Sequence, residues 1–230
     1  TWEPPWGQNV GVFGHEVGHS FGLPHEGFET GTYDDAYDVM SDGDEYNPVA
    51  DGTWYSVEKG ATYTFWRMSP CHTIAYMKTL MEWIGAGSIR TISLGQQASI
   101  TVQPLTSTTG VRMLKVAIPG HSTSTRYYTV EVRRNTGYDQ WLSHEGVSIH
   151  YVDELREVAG AVGSEGIPAY PKTPPGGGVG YGANQVWGVG TTYTNTVTRI
   201  YSGTGYTTIP NEFTISVLGT SGSAYIVAVD

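Results

Sequence analysis

The segment His15-Glu16-Val17-Gly18-His19-Ser20-Phe21-Gly22-Leu23-Pro24-His25 holds three imidazoles and a carboxylate at spacings that suit a metal. Successive helical residues turn by about 100°, so His15 and His19 project from one face, one turn apart. Two imidazoles so placed can share one Zn²⁺ at about 2.0–2.1 Å each. Glu16 is rotated by roughly 100° from His15. It can stand beside the metal, against a bound water, without being a ligand. Gly22 permits a sharp reversal with positive φ, which a side chain would resist. The chain then folds back, and His25 can complete a three-histidine set. Three protein ligands leave a fourth position for water, the mark of a catalytic zinc. The bare H-E-x-x-H pattern arises by chance in about one chain in a hundred, and the pattern with Gly22 and His25 in fewer than roughly one in ten thousand. The alternative reading is a helix carrying three structural histidines.

The elements that must position these residues follow from the hydrophobic period. Val10, Phe13, Val17 and Phe21 recur at helical spacing and predict a helix from about Val10 to Leu23, ended by Gly22 and Pro24. Residues 26–60 read as a long irregular loop with turn pairs such as Asp42-Gly43 and Asp51-Gly52. A second helix is expected from Ser69 to Trp83, with Pro70 in its first turn, an apolar stripe of Ile74, Met77, Met81 and Ile84, and Gly85 as its stop. From there the period changes to two. Strands are predicted at 89–94, 98–103, 111–118, 126–133 and 146–152, and again at 191–200, 212–218 and 223–229. Residues 158–184, with the run Pro174-Pro175-Gly176-Gly177-Gly178, read as a long surface loop. Short strands at this spacing suggest a β-sandwich. Composition divides the chain near residue 88, giving regions 1–88 and 89–230.

Asp34, Asp35, Asp38, Asp42, Asp44, Glu45 and Asp51 crowd the first loop. Their oxygens could hold a structural Ca²⁺, with Asp42 and Asp44 as candidate ligands, although the spacing does not fit the EF-hand loop. A solvated acidic loop is the alternative. His72, His121, His144 and His150 have no paired spacing and read as surface or packing residues. The single cysteine, Cys71, excludes an internal disulfide and reads as a small buried side chain.

The His15–His25 segment resembles the metzincin clan of zinc endopeptidases. That resemblance implies a methionine turn downstream, its Met beneath the metal, and Met40 in Tyr37-Asp38-Val39-Met40-Ser41 fits. The segments Tyr127–Arg133 and Gly146–Glu154 look like those of the immune-inhibitor-A-like and gametolysin-like secreted metallopeptidases. Together the likeness covers about residues 10–155. It implies an α+β chain: a metzincin-like zinc-helix region at 1–88, then an antiparallel β-sandwich at 89–230 with its Gly/Pro-rich loop at 158–184. It also implies Zn²⁺ as cofactor, Glu16 as general base, and a secreted, extracellular setting. Metzincins place an N-terminal sheet before the zinc helix, and its edge strand holds extended substrate. Only about nine residues precede the helix here, so a processing point, a fragment or a sheet supplied otherwise is expected.

Composition bounds the rest. The chain has 230 residues, 12 basic and 22 acidic, for a net charge of −10, which disfavours binding to nucleic acid. No stretch approaches the roughly 20 apolar residues of a membrane span. No basic and then apolar leader opens the chain, so any signal peptide is expected to be already removed. Seven Trp and 16 Tyr argue against disorder. The expected function is hydrolysis of protein or peptide substrates by a zinc-activated water, with the oligomeric state left open. The alternative is a non-catalytic binding or adhesion module stabilised by zinc, with the sandwich as its recognition domain.

Overall fold

Two strands in the second half of the chain, RYYTVEVR and GVSIHYVD, alternate apolar with polar side chains and yet are buried at almost every position. Both faces of their sheet are therefore covered. The computed structural model describes residues 10–26, 35–41, 49–67, 70–93, 95–118, 121, 124–155, 169–178, 183–202 and 205–230. Along the chain these form α1 (Val10–Ser20), β1 (Val49–Ser56), β2 (Ala61–Arg67), α2 (Ala75–Leu80), β3 (Ile89–Ile92), β4 (Ala98–Val102), β5 (Met113–Ala117), β6 (Arg126–Arg133), β7 (Gly146–Asp153), β8 (Ala169–Pro171), β9 (Thr192–Ser202), β10 (Gly205–Ser221) and β11 (Ala224–Val229). The chain is thus β-rich with two short helices among the described residues, none of them long and apolar enough to cross a membrane.

The strands make a five-stranded sheet in the order β3-β5-β6-β7-β8 and a four-stranded sheet in the order β4-β11-β10-β9. Their facing side chains form one apolar cluster. Val130, Val132, Val147 and Ile149 meet Ile215, Val217, Val227 and Val229 there. Tyr128 of β6 lies edge-on to Phe213 of β10 at 5.0 Å, and its hydroxyl donates to Asn195 Oδ1 of β9 at 3.0 Å. This is the expected sandwich, with one correction. It is not wholly antiparallel, because β3 runs parallel to β5. Ile89–Ile92 reaches that edge straight from the α2 region, on the same side as the start of β5, so no hairpin turn sets its direction.

The other face of the five-stranded sheet carries the N-terminal region. Tyr127, Val152 and Ala169 form a second cluster with Leu23, Met40, Ile74, Tyr76 and Met77. Ala36, Tyr37 and Cys71 pack with Leu142 and Val186. Side chains alternate across a strand. The residues between the sandwich-facing positions, Thr129, Glu131 and Arg133 on β6 with Ser148 and His150 on β7, therefore lie beneath this second layer. All five are fully buried.

Several local expectations are corrected. Residues 49–56 and 61–67 are not loop: β1 and β2 pair antiparallel, closed by a turn at 57–60 with Gly60 at φ +58°. Asp51-Gly52 lies inside β1, at a register shift, and is not the turn. The second helix is Ala75–Leu80, shorter than predicted, because Ile74 is still extended at ψ 163°. Its end is set by Glu82 at φ +57°, where Trp83 N–H bonds back to Lys78 O, and not by Gly85. Within 158–184, residues 169–171 form a strand on the sheet edge.

Candidate metal centre

Helix α1 stops at Ser20, three residues earlier than predicted, and buries a different face from the one its apolar period suggests. Gly11, His15 and Gly18 point inward. Val10, Phe13 and Phe21 are 60 %, 64 % and 60 % exposed, and Val17 is half-buried. The inward face is chosen by approach distance. A Cβ at Gly18 would overlap Met40 Sδ, so only glycine lets the helix sit directly on the methionine. Beyond the helix, Gly22 takes φ +87°, as expected, and Leu23 N–H bonds back to Gly18 O at 3.1 Å. That reversal returns the chain and delivers His25.

The three imidazoles converge through their Nε2 atoms. His19 Nε2 is 3.1 Å from His15 Nε2 and 2.9 Å from His25 Nε2. The opposite nitrogens define the protonation pattern. His15 Nδ1 lies 2.8 Å from Val39 O, and His19 Nδ1 lies 2.8 Å from Leu23 O. A carbonyl oxygen only accepts, so each Nδ1 carries the proton and donates. In the neutral rings the Nε2 atoms of His15 and His19 then carry lone pairs, turned toward each other and toward His25 Nε2. Three imidazole nitrogens gathered in this way suit Zn²⁺. The donor set therefore fits a metal, with its outer partners already in place.

Met40 lies in a turn against the helix, beside Gly18. Val39 O accepts the hydrogen bond from His15 Nδ1–H, and Met40 O accepts from Glu26 N–H, next to His25, at 3.1 Å. Met40 itself is fully buried. Glu16 stands half-buried beside His15 on α1, and its carboxylate has no hydrogen-bond or ion-pair partner among the described residues. The candidate calcium ligands Asp42 and Asp44 lie outside the described residues.

The turn is fastened to the sheet by charge. Arg133 of β6, fully buried, grips Asp139 with Nε at 3.0 Å and Nη2 at 2.9 Å. It also contacts Glu131 at 3.2 Å and donates to the carbonyls of Tyr37 and His72. Asp35, Glu26 and His150 form a second buried group whose ligand-type atoms lie within 4.8 Å of one another. Asp35 Oδ2 is 2.9 Å from His150 Nε2 on β7. Burial opposes charge on both, but each holds the other ionised: Asp35 is kept below the ordinary carboxylate range and His150 is raised. Asp38, buried in the same turn, is pushed up to about 7 by burial, with the charge of Asp35 adding to it.

The pair Asp35–His150 is absent from the sequence expectations, which treat His150 as a surface or packing residue. Its partner is 115 positions away, so no spacing rule could join them. The one signal in the sequence was a lone histidine at an otherwise ordinary strand position. Comparison with known proteins returns no match: no family model fits the chain, and no curated protein matches it.

Proposed function

We propose that this chain is a zinc-dependent endopeptidase similar to the metzincin clan, acting on protein or peptide substrates outside the cell. The observation that carries the reading is the convergence of three Nε2 atoms whose rings are held, at His15 and His19, by carbonyl acceptors on the far side. His15, His19 and His25 would hold the metal. When bound, zinc supplies Lewis-acid activation of water and of the scissile carbonyl.

The remaining chemistry belongs to the chain. Glu16 is offset from the ligand face by one helical step, so its carboxylate can reach the attacking water without competing for the metal. One carboxylate oxygen takes the water's proton and returns it to the departing amine. Val39 O and Leu23 O keep His15 and His19 in the tautomer that leaves Nε2 bare. Met40, fully buried against Gly18, gives the ligand helix a fixed floor.

The test is Glu16→Gln. The amide keeps the size of the side chain but accepts no proton at neutral pH. Zinc content and melting temperature should stay at wild-type values, while casein or gelatin cleavage falls by about 10²–10⁴. Equal cleavage by the two proteins overturns the mechanism.

One observation favours the non-catalytic reading. The connections at one end of the sandwich line an open depression of about 550 Å³, bordered by Thr106, Ser107, Arg134, Thr136, Glu145 and Ser223 among others. A recognition domain would use such a place. A wild type that binds zinc but cleaves no substrate makes this reading the better one.

A further inference from the structure

Asp35 organises the turn that carries Met40. Its N–H donates to Ser41 Oγ at 2.9 Å, across the turn. Its Oδ1 accepts from Tyr37 N–H at 2.7 Å. Its carbonyl accepts from Asp38 N–H at 3.4 Å, and Asp38 continues the pattern, taking Met40 N–H on Oδ1 at 3.0 Å and Ser41 N–H on its own carbonyl at 3.0 Å. Every one of these bonds shapes the stretch that presents Val39 O to His15 and Met40 O to Glu26 N–H. The orientation of the first ligand and the placement of the chain beside the third both pass through this turn.

Asp35 is itself held from outside. Its remaining oxygen, Oδ2, meets His150 Nε2 on β7 at 2.9 Å. His150 is fully buried, and its Nδ1 has no hydrogen-bond partner among the described residues. A buried imidazole with a single bond is a poor packing residue. It costs desolvation at the unpaired nitrogen, and an apolar side chain would fill the site with less penalty. What His150 provides that an apolar residue cannot is a donor aimed at Asp35.

The geometry points to Asp35 and His150 as a positioning pair for the three-histidine centre. The inference rests on the reading of that centre as a metal site. His150 reaches from the sandwich and fixes the carboxylate of Asp35. Asp35 fixes the turn, and the turn fixes His15 through Val39 O and the chain beside His25 through Met40 O. On this view the β-sandwich is part of the catalytic unit, because a strand of it sets the ligand geometry.

The experiment uses the full chain with three variants: His150→Leu, which fills the space without a donor; His150→Gln, whose amide nitrogen falls near the place of Nε2; and Asp35→Asn. Zn²⁺ affinity is measured by chelator competition, and the visible absorption of the Co²⁺-loaded protein reports ligand geometry. His150→Leu is expected to lose zinc affinity, by less than the about 10–100-fold that follows loss of a direct outer partner, and to shift the cobalt bands. His150→Gln is expected to restore most of both. If His150→Leu does not fold, Asp35→Asn carries the test and should shift the same bands. Wild-type affinity and an unchanged cobalt spectrum in the folded variants overturn the proposal, even where melting temperatures fall. Loss of a second metal equivalent on His150→Leu also overturns it, since the trio with Glu26 would then be a metal site in its own right. A wild type that binds no zinc removes the underlying reading and this pair's role together, an outcome separate from the others.

Discussion

Two glycines on α1, Gly14 and Gly18, stand one turn apart and should respond to the same substitution with opposite signs. A Cβ on Gly14 would meet Val39 Cγ2 at 3.8 Å, an ordinary contact. A Cβ on Gly18 would overlap Met40 Sδ, and would lie 3.1 Å from Met40 Cε and 3.6 Å from Leu23 Cδ1. Replacing glycine by alanine inside a helix is worth about 0.5–1 kcal/mol through the backbone entropy of the unfolded chain. Gly14→Ala should therefore stabilise the protein by about that amount. Gly18→Ala gains the same but must displace a fully buried methionine, and overpacking costs about 1–3 kcal/mol. A net loss of up to about 2.5 kcal/mol follows, the larger value if the turn resists. Met40 and Val39 move together, so the carbonyl that orients His15 shifts as well. Zinc affinity should fall in Gly18→Ala and hold in Gly14→Ala. Urea unfolding of the metal-free proteins measures the first effect, with unchanged slopes marking a change in stability alone. Chelator competition measures the second. If Gly18→Ala proves as stable as Gly14→Ala, the close seat of the helix on Met40 is refuted.

Arg133→Ala should cost about 3–5 kcal/mol in urea unfolding, because it strands the buried carboxylates of Glu131 and Asp139. A loss below about 1 kcal/mol, the scale of an exposed pair, would mean that the network is solvated. Asp38 gives a pH signature whose sign is fixed. Its folded value, about 7, lies above the ordinary 3.8, so between these limits the folded chain keeps a proton that the unfolded chain releases. Stability then falls as pH rises through that window. Unfolding midpoints at a series of pH values should show this decline in wild type relative to Asp38→Asn, and parallel curves would rule it out.

The convergence of the three histidines was legible in the sequence because it is local: the two helical histidines, the reversal at Gly22 and the returning His25 obey short-range geometry. The strands at 126–133 and 146–153 were legible for the same reason, through their period of two. The direction in which α1 faces was not. Periodicity says that Val10, Phe13 and Phe21 share a side, but burial went to the side of Gly11, His15 and Gly18, where small residues allow close approach. Alternation on β6 and β7 likewise reads as a sheet with one wet face. That face is covered instead, and of its buried polar residues Arg133 and His150 bond to the turn through Tyr37 O and Asp35. The hairpin at 49–67 was hidden by Asp51-Gly52, a turn pair placed inside a strand. Residues 70–74 lie outside α2, with Ile74 of its apolar stripe extended, so pattern alone overstated the helix.

The three converging histidines come from one short segment, while the groups proposed to aim them, Val39 and through it Asp35 and His150, come from further along the chain. That separation has a thermodynamic consequence. The ligands stay close together when the fold is lost, so the denatured chain remains a chelator. Stabilisation by a bound ion follows the difference between its affinities for the native and denatured chains, not the native affinity alone. The part that favours the native state is the part supplied by the distant carbonyl and the strand behind it. A metal here would therefore stabilise the fold by less than its binding constant suggests, and variants of the turn would reduce that stabilisation without removing the ion.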